Sequence, residues 1–192
     1  MTYRKAVITD FDNIREILNS HMAKGPFMMQ VVDELIEGDA YGFVVMDGNI
    51  FVGFVLVTDG FFCCRTDLEE YREMLALSEG KKVTTVTLMV VRDGYTGKGI
   101  ARKMLDLVFE EMSKRGTDIV YAESMVPRDE ENLPDGEKRY LHFERFTSEV
   151  LYEKYIPDYF YSPDFEDDYC YFCKGVCHCG TVLFLGHLKR CA

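Results

Sequence analysis

The chain has 192 residues, of which 47% are hydrophobic, and this combination suits one globular domain and argues against intrinsic disorder. The formal net charge of −11 opposes nonspecific binding to nucleic acid or an anionic membrane and favours a cationic substrate or partner. The sequence shows neither a signal-like N-terminus nor an apolar run long enough to span a bilayer, so we expect a soluble, cytoplasmic protein.

The N-terminal half predicts, in chain order, a strand at residues 3–8, a helix that begins at Asp10, a second helix at 28–36, and strands at 41–46 and 50–58. Ile14, Ile17 and Leu18 recur at helical spacing after Asp10, a residue type typical of helix caps. Asp47-Gly48 joins the two strand candidates, and such a pair is a strong signal for an antiparallel hairpin.

The C-terminal half predicts helices at 67–77, 100–115 and 137–155 and strands at 82–91, 118–125, 169–176 and 181–188. The strand at 82–91, the helix at 100–115 and the strand at 118–125 form a βαβ unit, for which a right-handed crossover is expected. The last two strand candidates flank the sequence CHCG, so we expect a Cys-rich β-hairpin at about residues 169–192.

A glycine-rich loop lies between the strand and the helix of this unit, in the stretch VVRDGYTGKGIARKML. Backbone N–H groups at a helix N-terminus lack intrahelical partners, so such a loop can hold a phosphate, although the glycines also suit a simple tight turn. A Walker A motif needs Ser or Thr where Gly99 stands, and a dinucleotide fingerprint needs a glycine where Arg102 stands.

Residues 95–101, YTGKGIA, resemble the acyl-coenzyme A pyrophosphate loop of the GNAT acetyltransferase superfamily, often written YRGKGIG. Thr96 departs from the Arg or Gln of that pattern and removes one side-chain contact. The order of the elements also resembles the family, as does VLYEKY at 150–155, which is similar to the helix end LYEKLGF. The resemblance implies one α/β domain over residues 1–192, with a mixed, mostly antiparallel sheet flanked by helices and splayed between its fourth and fifth strands around acyl-CoA.

The same resemblance implies acetyl-CoA as co-substrate and assigns ten residues to it. Backbone groups of the strand would meet the pantetheine arm at Met89, Val90 and Val91. The loop and the first turn of the helix would hold the pyrophosphate through Thr96, Gly97, Lys98, Gly99, Ile100, Ala101 and Arg102.

Acetyl transfer to an amine requires a neutral amine, a donor that polarises the thioester carbonyl, and an acid for the leaving thiolate. The backbone N–H of Val91 or of a neighbouring residue is the expected donor to the carbonyl. The resemblance places Tyr152 near the thioester sulfur, so Tyr152 is the expected acid. Thr87 stands where the family often has an acidic residue, so Glu123 is the candidate base, with ordered water as an alternative. The acceptor is expected to be a small-molecule amine or a peptide or protein amine.

The tail contains five of the seven cysteines, at Cys170, Cys173, Cys177, Cys179 and Cys191. A regular strand places Cys170 and Cys173 on opposite faces, so both can bind one ion only if the segment turns at Lys174-Gly175. The sequence therefore assigns no metal ligand and leaves three interpretations: small hydrophobic side chains, a disulfide across CHCG, or zinc.

A rival function follows from the same tail and from Thr96: a non-catalytic GNAT-like binding module with a zinc-stabilised contact surface. The apolar tail strands also suit pairing with a second subunit, which makes a homodimer an open possibility.

Overall fold

A mixed β-sheet forms the centre of the protein. A computed structural model of the chain describes residues 1–37, 40–63, 65–128, 143–160 and 169–189. The strands are Thr2–Lys5 (β1), Ala23–Lys24 (β2), Tyr41–Asp47 (β3), Ile50–Asp59 (β4), Val83–Val91 (β5), Ile119–Val126 (β6), Thr147–Ile156 (β7), Tyr169–Cys170 (β8) and Gly180–Leu188 (β9). The α-helices of these described residues are Phe11–His21 (α1), Pro26–Glu37 (α2), Glu69–Leu77 (α3) and Ile100–Lys114 (α4).

Seven of the strands form one sheet in the order β1-β3-β4-β5-β6-β9-β7, and β2 pairs with β8 in a separate two-stranded sheet. The predicted Asp47-Gly48 hairpin is confirmed, because β3 and β4 are antiparallel up to Asp47↔Ile50 and Gly48 has φ +58°. The βαβ unit is confirmed as well, because β5 and β6 are parallel with α4 between them. Within the described ranges, no helix has both the length and the apolar character needed to cross a bilayer.

The sheet opens between β5 and β6. These strands pair only from Val83↔Ile119 to Val86↔Ala122, although β5 continues to residue 91 and β6 to residue 126. The register of β5 with β4 shifts at the same level and leaves Thr87 as an extra residue. A bulge of this kind bends a strand and increases its twist, so it helps to turn β5 away from β6. The predicted splay is therefore confirmed.

Apolar side chains cover both faces of this sheet. Met104 and Val108 of α4 pack with Ala122 on one face. Tyr121, the preceding residue of β6, belongs to a separate cluster with Met74 of α3, because successive strand residues point to opposite faces. Helices α1 and α2 form a third cluster on the β3–β5 part of the sheet. The open gap thus connects two differently covered faces.

The predicted helix at 137–155 is wrong where the structure describes it. Residues 147–156 form strand β7, which pairs with β9 from Thr147↔Leu188 to Ile156↔Thr181, while residues 137–142 lie outside the described ranges. The apolar and aromatic side chains of this segment suit a strand as well as a helix. Pairing along most of the segment with β9 decides between the two, and a single sequence window does not contain that information.

The predicted Cys-rich hairpin is also wrong. Its first strand is reduced to Tyr169–Cys170, which pairs with Ala23–Lys24, while Gly180–Leu188 pairs with β6 and β7. Because β9 has a neighbour on each side, it offers no free edge to a second subunit. The edges of the seven-stranded sheet are β1 and β7.

Asp10 does not cap α1 through its side chain, in contrast to the prediction. Its carboxylate accepts two hydrogen bonds from the Arg4 guanidinium, at 2.6 and 2.7 Å, and one from the Val7 N–H at 2.9 Å. The hydrogen bonds from Arg4 lower the pKa of Asp10 below its usual value, against the effect of burial. The pair therefore joins β1 to the start of α1.

Replacing Asp10 with Asn is expected to lower the free energy of unfolding at neutral pH by about 1–3 kcal/mol, since it weakens charge-assisted hydrogen bonds at a buried site. Because the folded pKa is depressed, the stabilisation is present above the unfolded pKa of about 3.9 and is lost as the pH falls through the folded value. Urea unfolding between pH 7 and pH 3 should show a smaller acid loss in the variant. Asp12→Asn is the matched control, since the Asp12 side chain is 95% exposed; an equal effect of both variants would contradict the prediction.

Candidate active site

The loop before α4 exposes the N-terminus of that helix. Gly97 and Gly99 have φ of +72° and +75°, in the left-handed region that glycine tolerates best. Gly99 directly precedes α4 and provides no side chain to cap its first N–H groups. A Cβ atom at either glycine would meet no atom within 4 Å. The first turn of α4 therefore offers backbone donors and the positive end of the helix dipole to an anion.

A cavity of about 400 Å³ lies against this loop. Seven of the ten predicted cofactor residues line it: Val91, Thr96, Gly97, Gly99, Ile100, Ala101 and Arg102. Lys98 is turned away, since its Nζ donates to the Gly94 carbonyl at 2.8 Å and lies 5.0 Å from the centroid of the Tyr95 ring. Met89 and Val90 are not part of the lining; they lie upstream on β5.

Arg145 and Phe146 also line the cavity, and the site prediction did not include them. The Arg145 guanidinium carbon lies 4.3 Å from the centroid of the Phe146 ring, and its Nη2 donates to Asp106 Oδ1 at 2.6 Å. Phe146 itself stacks on Phe109 of α4 at 4.2 Å between centroids. These residues follow the loop by more than 40 positions in the chain, so no local motif connects them with it.

The predicted pantetheine residues border the gap in the sheet. Met89 pairs with Val55 and Val91 with Gly53, both on the β4 side, whereas β6 does not pair with this part of β5. Alternate backbone groups of a strand point to opposite edges, so part of the N–H and C=O groups here face the gap. An extended ligand entering from the cavity can hydrogen-bond to them as an additional strand would.

Glu123 lies at the point where β6 leaves β5, one residue after Ala122. Its Oε1 accepts hydrogen bonds from the hydroxyl of Tyr121 at 2.6 Å and from that of Tyr159 at 2.7 Å. Burial raises the pKa of both tyrosines, and the charge of Glu123 raises it further, so both phenols stay protonated and orient the carboxylate. The sequence contains a signal for Tyr121, because residues two apart on a strand point to the same face and Tyr121 precedes Glu123 by two positions. It contains no local signal for Tyr159, which follows Glu123 by 36 positions.

Tyr152 lies on β7, opposite Leu185 of β9, and not at the end of a helix. It packs on the α3 side of the sheet with the cluster that contains Tyr121 and Tyr159. It does not line the cavity, which lies on the α4 side. Burial raises the pKa of Tyr152; the nearby Lys154 lowers it, and Glu73 raises it again. Tyr152 and Glu123 thus lie on the same face of the sheet.

Four tail cysteines come together, contrary to the strand geometry expected from the sequence. The Sγ atoms of Cys170, Cys173, Cys177 and Cys179 all lie within 4.8 Å of one another. Cys191, the fifth cysteine of the tail, lies outside the described residues. The sequence assigned no metal ligand to the tail, and this grouping requires that assignment to be reconsidered.

An open helix N-terminus beside a splayed mixed sheet places the protein among acetyltransferase-type α/β domains. The model described as the acetyltransferase (GNAT) family matches residues 11–133. The chain therefore belongs to the GNAT family. Among curated proteins, none has significant sequence similarity to this chain.

Solved structures show the same fold at low sequence identity. Arabidopsis thaliana NAA60 in complex with a bisubstrate analogue has a TM-score of 0.62 and 14% identity, with 98% of this chain and 99% of that chain covered. The ribosomal-protein-S18-alanine N-acetyltransferase from Escherichia coli has a TM-score of 0.60 and 12% identity, with 100% and 96% covered. YncA from Salmonella typhimurium, solved with acetyl-CoA, has a TM-score of 0.54 and 16% identity, with 100% and 96% covered.

Proposed function

We propose that this protein is an N-acetyltransferase that transfers the acetyl group of acetyl-CoA to a primary amine of a small molecule, peptide or protein. The observation that carries the proposal is the open N-terminus of α4, which faces a cavity of about 400 Å³ beside the gap between β5 and β6. NAA60 and YncA, which share the fold, were solved with acetyl-CoA. Family membership supports acyl transfer as the reaction class.

The residues around the cavity suit the pyrophosphate of acetyl-CoA. Backbone N–H groups from Gly97 to Ala101 would donate to its oxygens, and Arg102 lies in the first turn of α4. Arg145 brings a second guanidinium to the cavity lining, although its Nη2 also donates to Asp106 Oδ1 of α4 at 2.6 Å. We infer that Arg145 supplies the cationic contact that the family pattern places at the position of Thr96.

The thioester supplies the activated acyl group, and the protein must prepare the amine. An amine with a pKa near 10 is mostly protonated at neutral pH, so a base must remove its proton before attack. Glu123 is the proposed base, because two phenols hold its carboxylate at the opening between β5 and β6. Backbone N–H groups at the end of β5, such as that of Val91, would polarise the thioester carbonyl.

The α3 side of the sheet also suits a cationic acceptor. Glu70 and Glu73 of α3 lie close enough to Tyr152 to raise its pKa, although Glu70 is already paired with Lys154 at 2.8 Å. These carboxylates belong to a chain with a net charge of −11. A protonated amine approaching Glu123 from this face would therefore meet favourable electrostatics.

Tyr152 is the proposed acid for the departing thiolate on the ground of the family resemblance; it lies on the same face of the sheet as Glu123, with β9 between its strand and β6. Its raised pKa keeps the phenol protonated, as an acid requires. We expect Tyr152→Phe to lower turnover by about tenfold or more while the affinity for acetyl-CoA stays near that of the wild type, because the hydroxyl acts only on the leaving group. Initial rates and calorimetry on the same preparation measure the two quantities. Unchanged turnover would remove Tyr152 from the mechanism.

The proposed function is tested by titrating the protein with acetyl-CoA in a calorimeter and then screening amines. The panel contains a polyamine, an aminoglycoside, a peptide with a free N-terminus and a peptide with an internal lysine. Acetylated products are detected by mass, because the protein's seven cysteines would react with a thiol reagent. Micromolar binding and one acetylated acceptor are expected. Absence of binding at millimolar acetyl-CoA would overturn the proposal and favour the non-catalytic binding module.

A further inference from the structure

We propose that the four cysteines of the tail form a structural zinc site that fastens the two halves of the splayed sheet to each other. The site consists of Cys170, Cys173, Cys177 and Cys179 and is called the cysteine cluster below. It is separate from the cavity at α4, and the proposal does not depend on the acetyltransferase activity.

The sulfur positions match one tetrahedral ion. Four thiolates at a Zn–S distance of about 2.3 Å lie about 3.8 Å from one another at the corners of a tetrahedron. In the cysteine cluster, the Sγ atoms of Cys173 and Cys179 are 3.5 Å apart, and those of Cys170 and Cys179 are 3.9 Å apart. All four sulfurs fall within 4.8 Å of one another. This spacing suits one mononuclear ion with four sulfur ligands.

The backbone between Cys170 and Cys179 turns so that the four cysteines come together. Lys174 has φ +56°, a conformation that non-glycine residues rarely adopt. The Cys170 N–H donates to the Gly175 carbonyl at 2.7 Å, which closes a turn and brings Cys173 back towards Cys170. The His178 N–H donates to Cys173 Sγ at 3.2 Å. A backbone donor aimed at sulfur stabilises a thiolate, the form that binds zinc.

The burial of the cluster argues for a closed site. Cys170 is 2% exposed and Cys179 is 0% exposed, while Cys173 and Cys177 are half-buried. Four protein ligands complete the coordination of zinc and leave no position for a substrate, which is the pattern of structural sites. The His178 ring does not join the cluster; its Nδ1 lies 3.1 Å from the Asp158 carboxylate.

The position of the cluster in the fold explains what the ion would do. Cys170 lies on β8, which pairs with β2 directly after α1, and the Tyr171 N–H donates to the Met22 carbonyl at 3.2 Å. Helix α1 packs on the β4–β5 side of the gap. Cys179 directly precedes β9, which pairs with β6 on the other side. An ion bound by both ends therefore connects the two halves of the sheet beyond the point where β5 and β6 separate.

Two alternatives to zinc binding, a disulfide and four unligated thiols, differ from it in thiol count and metal content. A disulfide would consume two of the four sulfurs and leave two thiols, and it would require an oxidising environment. Unligated cysteines would leave four thiols and no metal. Zinc binding instead releases the thiol protons of the ligands and keeps all four sulfurs reduced.

The test is the metal content of the full-length protein, purified under reducing conditions without a chelator. We expect one zinc per chain by elemental analysis, and its loss in Cys173→Ser and in Cys177→Ser. Cys63→Ser is the matched control, since Cys63 is also half-buried but does not belong to the cluster, and it should retain one zinc. Absence of stoichiometric zinc in the wild type, iron in its place, or a disulfide found by thiol counting would overturn the proposal.

A second measurement covers the case in which the serine variants do not fold. Zinc is removed from wild-type protein with a chelator and replaced with Co²⁺, for which thiolate charge-transfer bands and the strong visible bands of tetrahedral coordination are expected. Zinc removal should also lower the midpoint of thermal unfolding, and zinc added back should restore it. Octahedral cobalt spectra, or a midpoint that does not change, would overturn the site. Neither readout involves acetyl-CoA, so a failed acetyl-CoA titration would not affect it.

Discussion

Replacing Gly99 with Glu is expected to weaken the binding of acetyl-CoA by about 100-fold or more. The new side chain has space, because a Cβ atom at this position meets nothing within 4 Å. Its carboxylate would stand before the first N–H groups of α4, where the pyrophosphate is proposed to bind. Two unit charges about 4 Å apart repel by about 4 kcal/mol at an effective dielectric constant of about 20, and each 1.4 kcal/mol changes affinity tenfold.

The backbone conformation of residue 99 requires its own controls. Any side chain at φ +75° carries a strain of about 1–2 kcal/mol. Gly99→Gln adds the same bulk and the same strain without the charge, so a smaller loss of affinity is expected. Gly116→Glu introduces the same residue at φ +77° beyond the other end of α4, about 25 Å away at about 1.5 Å per residue. This variant should bind acetyl-CoA like the wild type; equal losses in the 99 and 116 variants would contradict the loop assignment.

Arg145→Ala provides a graded comparison in the same calorimetric series. We expect an affinity about tenfold lower than that of the wild type, because one cationic side chain of the cavity wall is lost. Lys98→Ala should have less effect, because Lys98 donates to Gly94 and not into the cavity. The opposite ranking would show that the lysine of the loop, and not Arg145, compensates for Thr96.

The sequence predicts the elements of the N-terminal two thirds well, because their signals are local. The Asp47-Gly48 turn, the β-branched run of β5 and the apolar stripe of α4 each decide their own structure within a short window. The loop motif likewise identifies most of the residues that line the cavity. These features require no knowledge of what packs against them.

The errors of prediction occur where distant segments decide the structure. Residues 147–156 became a strand because β9 pairs with them, and the cysteines converged because the chain turns at Lys174 and β8 pairs with β2. Arg145 reaches the cavity, and Tyr159 reaches Glu123, only through the tertiary fold. Local periodicity contains no information on such contacts. The loop motif therefore predicts the residues at the start of α4, whereas Arg145 and Tyr159 could not be predicted.

The surroundings of Glu123 suggest a substitution that separates its chemistry from its structural role. Both phenols donate to Oε1, and the carbonyl oxygen of a glutamine can accept the same two hydrogen bonds. Glu123→Gln can therefore keep these two hydrogen bonds while it removes the base. The cavity at α4 is not altered, so the affinity for acetyl-CoA should stay near that of the wild type.

With the best acceptor of the amine panel, we expect Glu123→Gln to lower turnover by about 100-fold at neutral pH, the contribution typical of a general base. The deficit should shrink as the pH approaches about 10, because the amine then loses its proton without help. Tyr159→Phe, which keeps the carboxylate but removes one of the two phenol donors, should give a smaller loss. A deficit that stays constant with pH would assign Glu123 to positioning the acceptor, and wild-type turnover in the glutamine variant would exclude it as the base.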